Sequence, residues 1–222
     1  GVMISLSDET NPEIRDALSR FRAPMIALDR QLPVAADTIL YAHADAMRQT
    51  VKYLYHLGHR RIALITGTEK ITPTRERISG YRKAHEEQEL EIDPDLIRTG
   101  GISARHGLEE TTALLAMDDP PTAIVAGANQ TLVGVLRAVR RAGLSIPQDV
   151  SIVSCDDTPL AELMRPPVTV VRRDIEEWGR LAAEGLLHRL ETGDDTDGPP
   201  PAVLHMPCEL LLRDSCAPVR SA

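Results

Sequence analysis

The sequence predicts a doubly wound α/β protein. Three observations lead there. Short apolar runs alternate with longer amphipathic stretches along almost the whole chain. The runs are apolar nearly without interruption, as strands buried on both faces of a parallel sheet must be. The intervening stretches have the length and spacing of crossover helices, so the alternation implies βαβ units. At 222 residues the chain is long for one ordinary domain and comfortable for two smaller ones.

In order, the strand-type runs are VMISL, PMIALD, TILYA, RIALITG, PTAIVAGA, VSIVSC and VTVV. Over 44–57, Ala44, Met47, Val51 and Leu54 mark one helical face, and Gly58 supplies a stop. RERISGYRKA (75–84) opens a helix after the loop GTEKITPT. Ala104, Leu108 and Leu115 mark a helix over 104–117. Segment 128–142 differs: Leu132, Leu136 and Val139 form one face, while Val133, Val135, Ala138 and Ala142 spread beyond it. Such a helix packs on more than its own sheet, either deep in the core or at a subunit interface. A helix begins near Pro159, and another runs over 174–190 with Ile175, Trp178, Ala182, Leu186 and Leu190 in a stripe behind an Asp174 N-cap. ETGDDTDGPPP is a loop, AVLHMPCELLLRDS holds two short strands broken at Pro207, and CAPVRSA is a frayed tail.

Composition narrows the function. Hydrophobic residues make up 42% of the chain but aromatics only 3%, so the core is mostly aliphatic. With 25 basic against 33 acidic residues and a net charge of −8, the chain is poorly suited to hold nucleic acid by itself. Three cysteines without metal-ligand spacing suit a reducing cytoplasm. No run is long and apolar enough to cross a membrane, and the N-terminus carries no secretory signal.

The run SIVSCDD ends in two carboxylates, Asp156 and Asp157. Neither a DxDxDG loop nor a nearby third acid accompanies them, which argues against a metal. Adjacent residues at a strand end point different ways, which suits them poorly to a glycosidase pair. Asp157 fits a capping role for the helix near Pro159, leaving Asp156 to face a cleft. Arg77 opens a helix at the C-terminal end of a strand, where open α/β sheets bind ligands and a guanidinium offers a fixed fork of donors. The alternative is a solvated basic face. There is no GxSxG, GxGxxG or Walker loop, so neither an enzyme nor a cofactor is expected. His59, between a helix and a strand, reads as a packing or hydrogen-bonding residue.

LGHRRIALITG (57–67), RERISGYRKA, the segment from PTAIVAGANQ to RPPVTVV (121–171) and ELLLRDS (209–215) resemble, in order and spacing, the LacI/GalR family of bacterial transcriptional regulators. The resemblance implies two Rossmann-like subdomains with parallel sheets, of the type I periplasmic-binding-protein-like kind, joined by three crossings. The first takes 1–59 plus 172–200, the second 60–171 plus 201–216, and 217–222 is a tail. It also implies a small sugar-like effector in the cleft, and a homodimer that would explain the broadly apolar helix 128–142. Operator DNA would be reached only through a helix-turn-helix that has no counterpart here. The first subdomain is expected to lack its opening strand and helix. A periplasmic solute-binding protein shares the fold, but the wording of GHRRIALITG and IPQDVSIVSCDD favours the regulator.

Carried over by motif, Arg77 resembles the family's effector-gripping arginine and Asp156 its hydroxyl-binding aspartate. Asp45 occupies a cleft-facing position that is often polar. Where relatives commonly read ND, this chain has Ala128-Asn129, with Asn129 a partial replacement. Ile102 stands in place of a sugar-stacking aromatic, leaving Tyr41 as the main aromatic near the cleft. Arg77, Asp156, Asp45, Asn129, Tyr41 and Ile102 are thus the candidate effector-binding residues.

Overall fold

A computed structural model describes residues 1–192 and 200–219. In chain order the elements are β1 (Val2–Ile4), α1 (Pro12–Ser19), β2 (Met25–Leu28), β3 (Asp37–Tyr41), α2 (His43–His56), β4 (Ile62–Ile65) and α3 (Thr72–Glu86). There follow β5 (Ile97–Arg98), α4 (Ala104–Leu115), β6 (Ala123–Ala126), α5 (Asn129–Arg141), β7 (Ser151–Ser154) and α6 (Pro159–Leu163). The chain closes with β8 (Thr169–Arg173), α7 (Ile175–Thr192), β9 (Val203–Met206) and β10 (Cys208–Leu211).

These elements form two lobes. One holds a parallel sheet ordered β1-β2-β3-β9, and the other a six-stranded sheet ordered β10-β8-β7-β6-β4-β5 in which only β10 runs antiparallel to its neighbour. Strands β4, β6 and β7 are buried at every position; β4 and β6 are apolar throughout, while β7 buries Ser151 and Ser154 at its two ends. On one face of the larger sheet, Leu114, Leu132, Val135 and Val139 from α4 and α5 pack on Ile65, Ile124 and Ile152. On the other, Met47, Val51, Leu54, Ile78 and Tyr81 from α2 and α3 pack on Leu64 and Val125. The smaller sheet buries Ile26, Ile39, Tyr41 and Met206 against Ala182 and Trp178 of α7. Asp174 caps α7 by accepting from Glu177 N–H at 2.9 Å.

The crossings fall at Ala42, Asp174 and Pro207, which moves all three sequence-derived boundaries. Helix α2 belongs with the larger lobe, because its stripe of Met47, Val51 and Leu54 meets α3 and β4 instead of the smaller sheet. Strand β8 runs to Arg173, paired with Cys208, so 172–173 stay in the larger sheet. Residues 203–206 pair with β3 and so belong to the smaller sheet. The tail is not frayed as far as Val219: its N–H donates to Leu57 O at 3.0 Å, and Ala217 O accepts from His59 Nε2 at 3.1 Å. His59 is 2% exposed, and burial lowers its pKa. Most of the loop expected over 191–201 lies outside the described residues.

Two helix pairs come together through glycine. A Cβ at Gly80 would lie 2.0 Å from Ala44 O, so α3 rests directly on the start of α2. A Cβ at Gly134 would lie 2.3 Å from Ala104 O, which seats α5 on α4. That second contact explains much of the apolar spread of α5: Val135 and Ala138 are buried within the lobe, while Val133 and Leu136 are only partly covered. Because α3 is fixed by Gly80, Arg77 in the turn before it has a defined place at the C-terminal edge of the larger sheet.

Candidate functional site

Both parallel sheets end toward one shared cleft, and the ends of their strands supply its charged groups. From the smaller lobe comes Asp29, just past β2, in the left-handed region at φ 53°, a conformation that Asp tolerates better than most residues. From the larger lobe come Arg77 of α3, Asp156 just past β7, and Arg173, the last residue of β8. His43 opens α2 beside the first crossing.

Arg173 bridges the lobes. Its guanidinium donates to Asp156 Oδ1 at 2.5 Å and to Asp29 Oδ2 at 3.5 Å, and it lies 5.2 Å from the centre of the Tyr41 ring. Asp29, only 4% exposed, also accepts from Tyr41 N–H at 3.2 Å and from His43 Nε2 at 2.9 Å. Burial pushes the Asp29 carboxyl up, but the His43 and Tyr41 hydrogen bonds and the Arg173 charge bring it below the usual carboxylate range. Burial first, and then the neighbouring Arg77 charge, hold His43 down to about 4, so it is a neutral donor near neutral pH.

Arg77 has no such partner. It is 8% exposed, no carboxylate pairs with it among the described residues, and its near neighbour is the buried Cys155 thiol. A cation in that setting has lost water without gaining a counter-charge, an arrangement more costly than a solvated basic face. Among the described residues, Arg30 donates to backbone carbonyls, Leu6 O at 2.5 Å and Asp29 O at 2.6 Å. At the rim, Glu9 of the smaller lobe accepts from Thr72 N–H at 2.9 Å, Thr72 Oγ1 at 2.9 Å and Arg75 Nη2 at 2.6 Å. Asp8 pairs with Lys70 beside it at 2.8 Å. The lobes are therefore tied at the mouth of the cleft as well as at its base.

Residues 51–216 match the family model for the periplasmic binding protein-like domain. The chain is a periplasmic binding protein-like domain of the LacI/GalR type. It is 32% identical over 191 residues to the ribose operon repressor of Escherichia coli strain K12, covering 85% of this chain and 58% of that protein. It is 30% identical over 196 residues to the transcriptional repressor PurR of Haemophilus influenzae strain PittEE, covering 88% of this chain and 58% of that protein. The chain thus spans a little over half the length of these relatives. Among solved structures, a LacI-family regulatory protein from Chloroflexus aggregans superposes with a TM-score of 0.83 at 28% identity, covering 96% of this chain and 75% of that one. The regulator CelR in complex with cellobiose superposes with a TM-score of 0.87 at 28% identity, covering 97% of this chain and 65% of that one.

Within this LacI/GalR-type domain the sequence candidates divide. Arg77 and Asp156 stand on the larger lobe's side of the cleft, Asp156 with its carboxylate occupied by Arg173. Asn129 contributes its backbone: its N–H donates to Asp156 Oδ2 at 3.2 Å, while its own Oδ1 accepts from Gln130 N–H at 2.6 Å. Tyr41 is 1% exposed and its hydroxyl donates to Asp174 O at 2.7 Å, so its ring supports Arg173 from within the core and offers no stacking face. Ile102 lies beside Gly67 and is 55% exposed. Asp45 departs from its expected place. Its side chain is 53% exposed and is held by Arg48 at 2.7 Å and Gln49 at 2.7 Å, because Ala44 takes the packed face of α2 and the next residue turns to solvent. Asp157 does not cap α6; Thr158 does, accepting from Ala161 N–H at 3.3 Å, and Asp157 pairs with Arg213 at 2.8 Å.

Asp29, His43 and Arg173 were missed. Asp29 ends the apolar run PMIALD as Asp156 ends SIVSCD, so the same strand-end signal was present. Arg173 follows VTVV directly, and a charge there marks the same sheet edge.

Proposed function

We propose that the chain is the effector-sensing part of a bacterial transcriptional regulator, cytoplasmic and non-enzymatic, that holds a small polar metabolite between its lobes. One observation carries this reading: Arg77 is buried at the edge of the cleft with no acid among the described residues to neutralise it, while charged groups of both lobes meet around it. A ligand that satisfies Arg77 and touches the Asp29 side contacts both lobes at once. It then favours one lobe angle over another, and that difference in affinity is the source of allosteric output. Operator binding belongs to a separate DNA-reading part, consistent with the net charge of −8. The partly covered Val133 and Leu136 of α5 line a groove with Leu160 and Met164, and this face suits a side-by-side homodimer. No described helix is long and apolar enough to cross a membrane.

A thermal-shift screen of sugars, nucleosides and small acids, repeated on Arg77→Ala, tests the site. Hits should lose their shift in the variant. A hit whose shift survives the change would place the binding site elsewhere.

A further inference from the structure

At the mouth of the cleft, the first turn of α3 is completed by the opposite lobe. The residue at its N-cap is Ile71, whose side chain caps nothing, and no acid stands in the first turn. Pro73 brings no N–H, and the amides of Thr74 and Arg75 both turn back to Ile71 O, at 3.2 and 3.3 Å. Thr72 N–H is satisfied from outside the helix. It donates to Glu9 Oε1 at 2.9 Å, while Thr72 Oγ1 and Arg75 Nη2 donate to Glu9 Oε2 at 2.9 and 2.6 Å. Glu9 lies in the loop between β1 and α1 of the smaller lobe. Its own N–H donates to Lys70 O at 3.0 Å, and Gln31 N–H, past β2, steadies Oε1 at 3.3 Å. The Glu9 side chain is 5% exposed, so the contact is dry. Arg75 is held ready for it by Glu69 O at 2.9 Å and by Thr72 Oγ1 at 3.0 Å. A carboxylate at a helix start meets both an unpaired amide and the positive end of the helix dipole. Here the carboxylate and the helix belong to different lobes.

We propose that Glu9 is a clasp between the lobes, a helix cap supplied in trans that makes closing of the cleft and completion of the first turn of α3 a single event. The clasp is built from the chain's own groups, so the inference does not depend on which molecule binds. Parting the lobes strips Thr72 N–H, Thr72 Oγ1 and Arg75 of their shared acceptor together, and it returns a buried carboxylate to water. The regained hydration offsets much of the lost bonding, so the clasp can release. It also discriminates by size. A molecule that leaves Glu9 room to reach α3 is enclosed, whereas a bulkier one holds the lobes apart and leaves α3 uncapped. The neighbouring pair of Asp8 and Lys70 is of another kind: Lys70 is 60% exposed, and solvent screens what the pair contributes.

Two readouts on the chain with no small molecule added test the clasp: amide exchange at Thr72 by NMR, and the radius of gyration by small-angle X-ray scattering. Glu9→Ala should lower the protection of the Thr72 amide by at least about tenfold, the loss of one charge-assisted bond, and should raise the radius of gyration. Glu9→Gln keeps an oxygen acceptor at nearly the same size and loses the charge. It should shift both readouts the same way but less, and it carries the test if Glu9→Ala fails to fold. Asp8→Asn should move neither. Loss of Thr72 protection at an unchanged radius would reduce Glu9 to a local cap and overturn the coupling. A larger radius with Thr72 still protected would overturn it too. So would no response in either Glu9 variant, an equal response in Asp8→Asn, or a wild-type scattering curve that the clasped arrangement does not fit.

Discussion

Replacing Arg173 by glutamine removes a guanidinium that touches both cleft acids. The side chains of Arg173, Asp29 and Asp156 are 19%, 6% and 20% exposed, so the pair to Asp29 is buried and the pair to Asp156 is partly wet. Removing one partner of a fully buried ion pair costs about 3–5 kcal/mol. Here Asp29 keeps its bonds from His43 and Tyr41, and Asp156 keeps the Asn129 N–H and some water. The expected cost is therefore lower, about 2–3 kcal/mol. At about 2–4 °C per kcal/mol for a chain of this size, Tm should fall by about 4–12 °C. Urea unfolding followed by circular dichroism gives the free energy by linear extrapolation. Asp156→Asn in the Arg173→Gln background should cost less than the two single changes together, because the amide needs no counter-charge. A loss below about 1 kcal/mol, or additivity within about 0.5 kcal/mol, would refute the bridge and leave Arg173 as an ordinary surface pair.

Further expectations follow from the packing and titration of the same region. His43 has a folded pKa of about 4, below its unfolded value, so the unfolded chain binds the extra proton between pH 4 and about 6.5. Its contribution is complete above about pH 6.5 and lost as pH falls toward 4, roughly 3 kcal/mol in all. Urea midpoints measured across that window should decline in the wild type and decline less in His43→Gln; equal slopes would refute the assignment. Gly80→Ala forces a methyl onto Ala44 O and should cost about 2 kcal/mol or more, measurable as a lower urea midpoint. Gly179→Ala, in open space on α7, should raise stability by about 0.5–1 kcal/mol, and the contrast with Gly80 separates a steric effect from helix propensity.

The strands were legible because each is a short apolar run ended by a turn or a charge, and the parallel-sheet reading follows from runs buried throughout. The two-residue β5 and the helix α1 carry too little periodicity to be read that way. The crossing points were misplaced because a helix stripe such as Met47, Val51 and Leu54 shows that a face is buried but not which sheet buries it. The same limit applies at the site. Strand-end position pointed to Asp156 at the sheet edge, and the expectation that Arg77 opens a helix pointed to the same edge, although α3 begins at Thr72 and Arg77 stands in its second turn. Asp45 could not be placed without the Ala44–Gly80 contact, which decides how α2 is rotated. The ion bridge through Arg173 joins residues 29, 156 and 173 across two lobes, and no local spacing encodes it.

The central claim is that Arg77 holds the effector between the lobes. The most direct measurement is the dissociation constant of the tightest-binding compound from the screen of sugars, nucleosides and small acids, taken by calorimetry on wild type and on Arg77→Gln at the same ionic strength. Loss of a charge-assisted pair worth about 2 kcal/mol or more predicts at least a thirtyfold weaker constant. Constants that agree within threefold would contradict it.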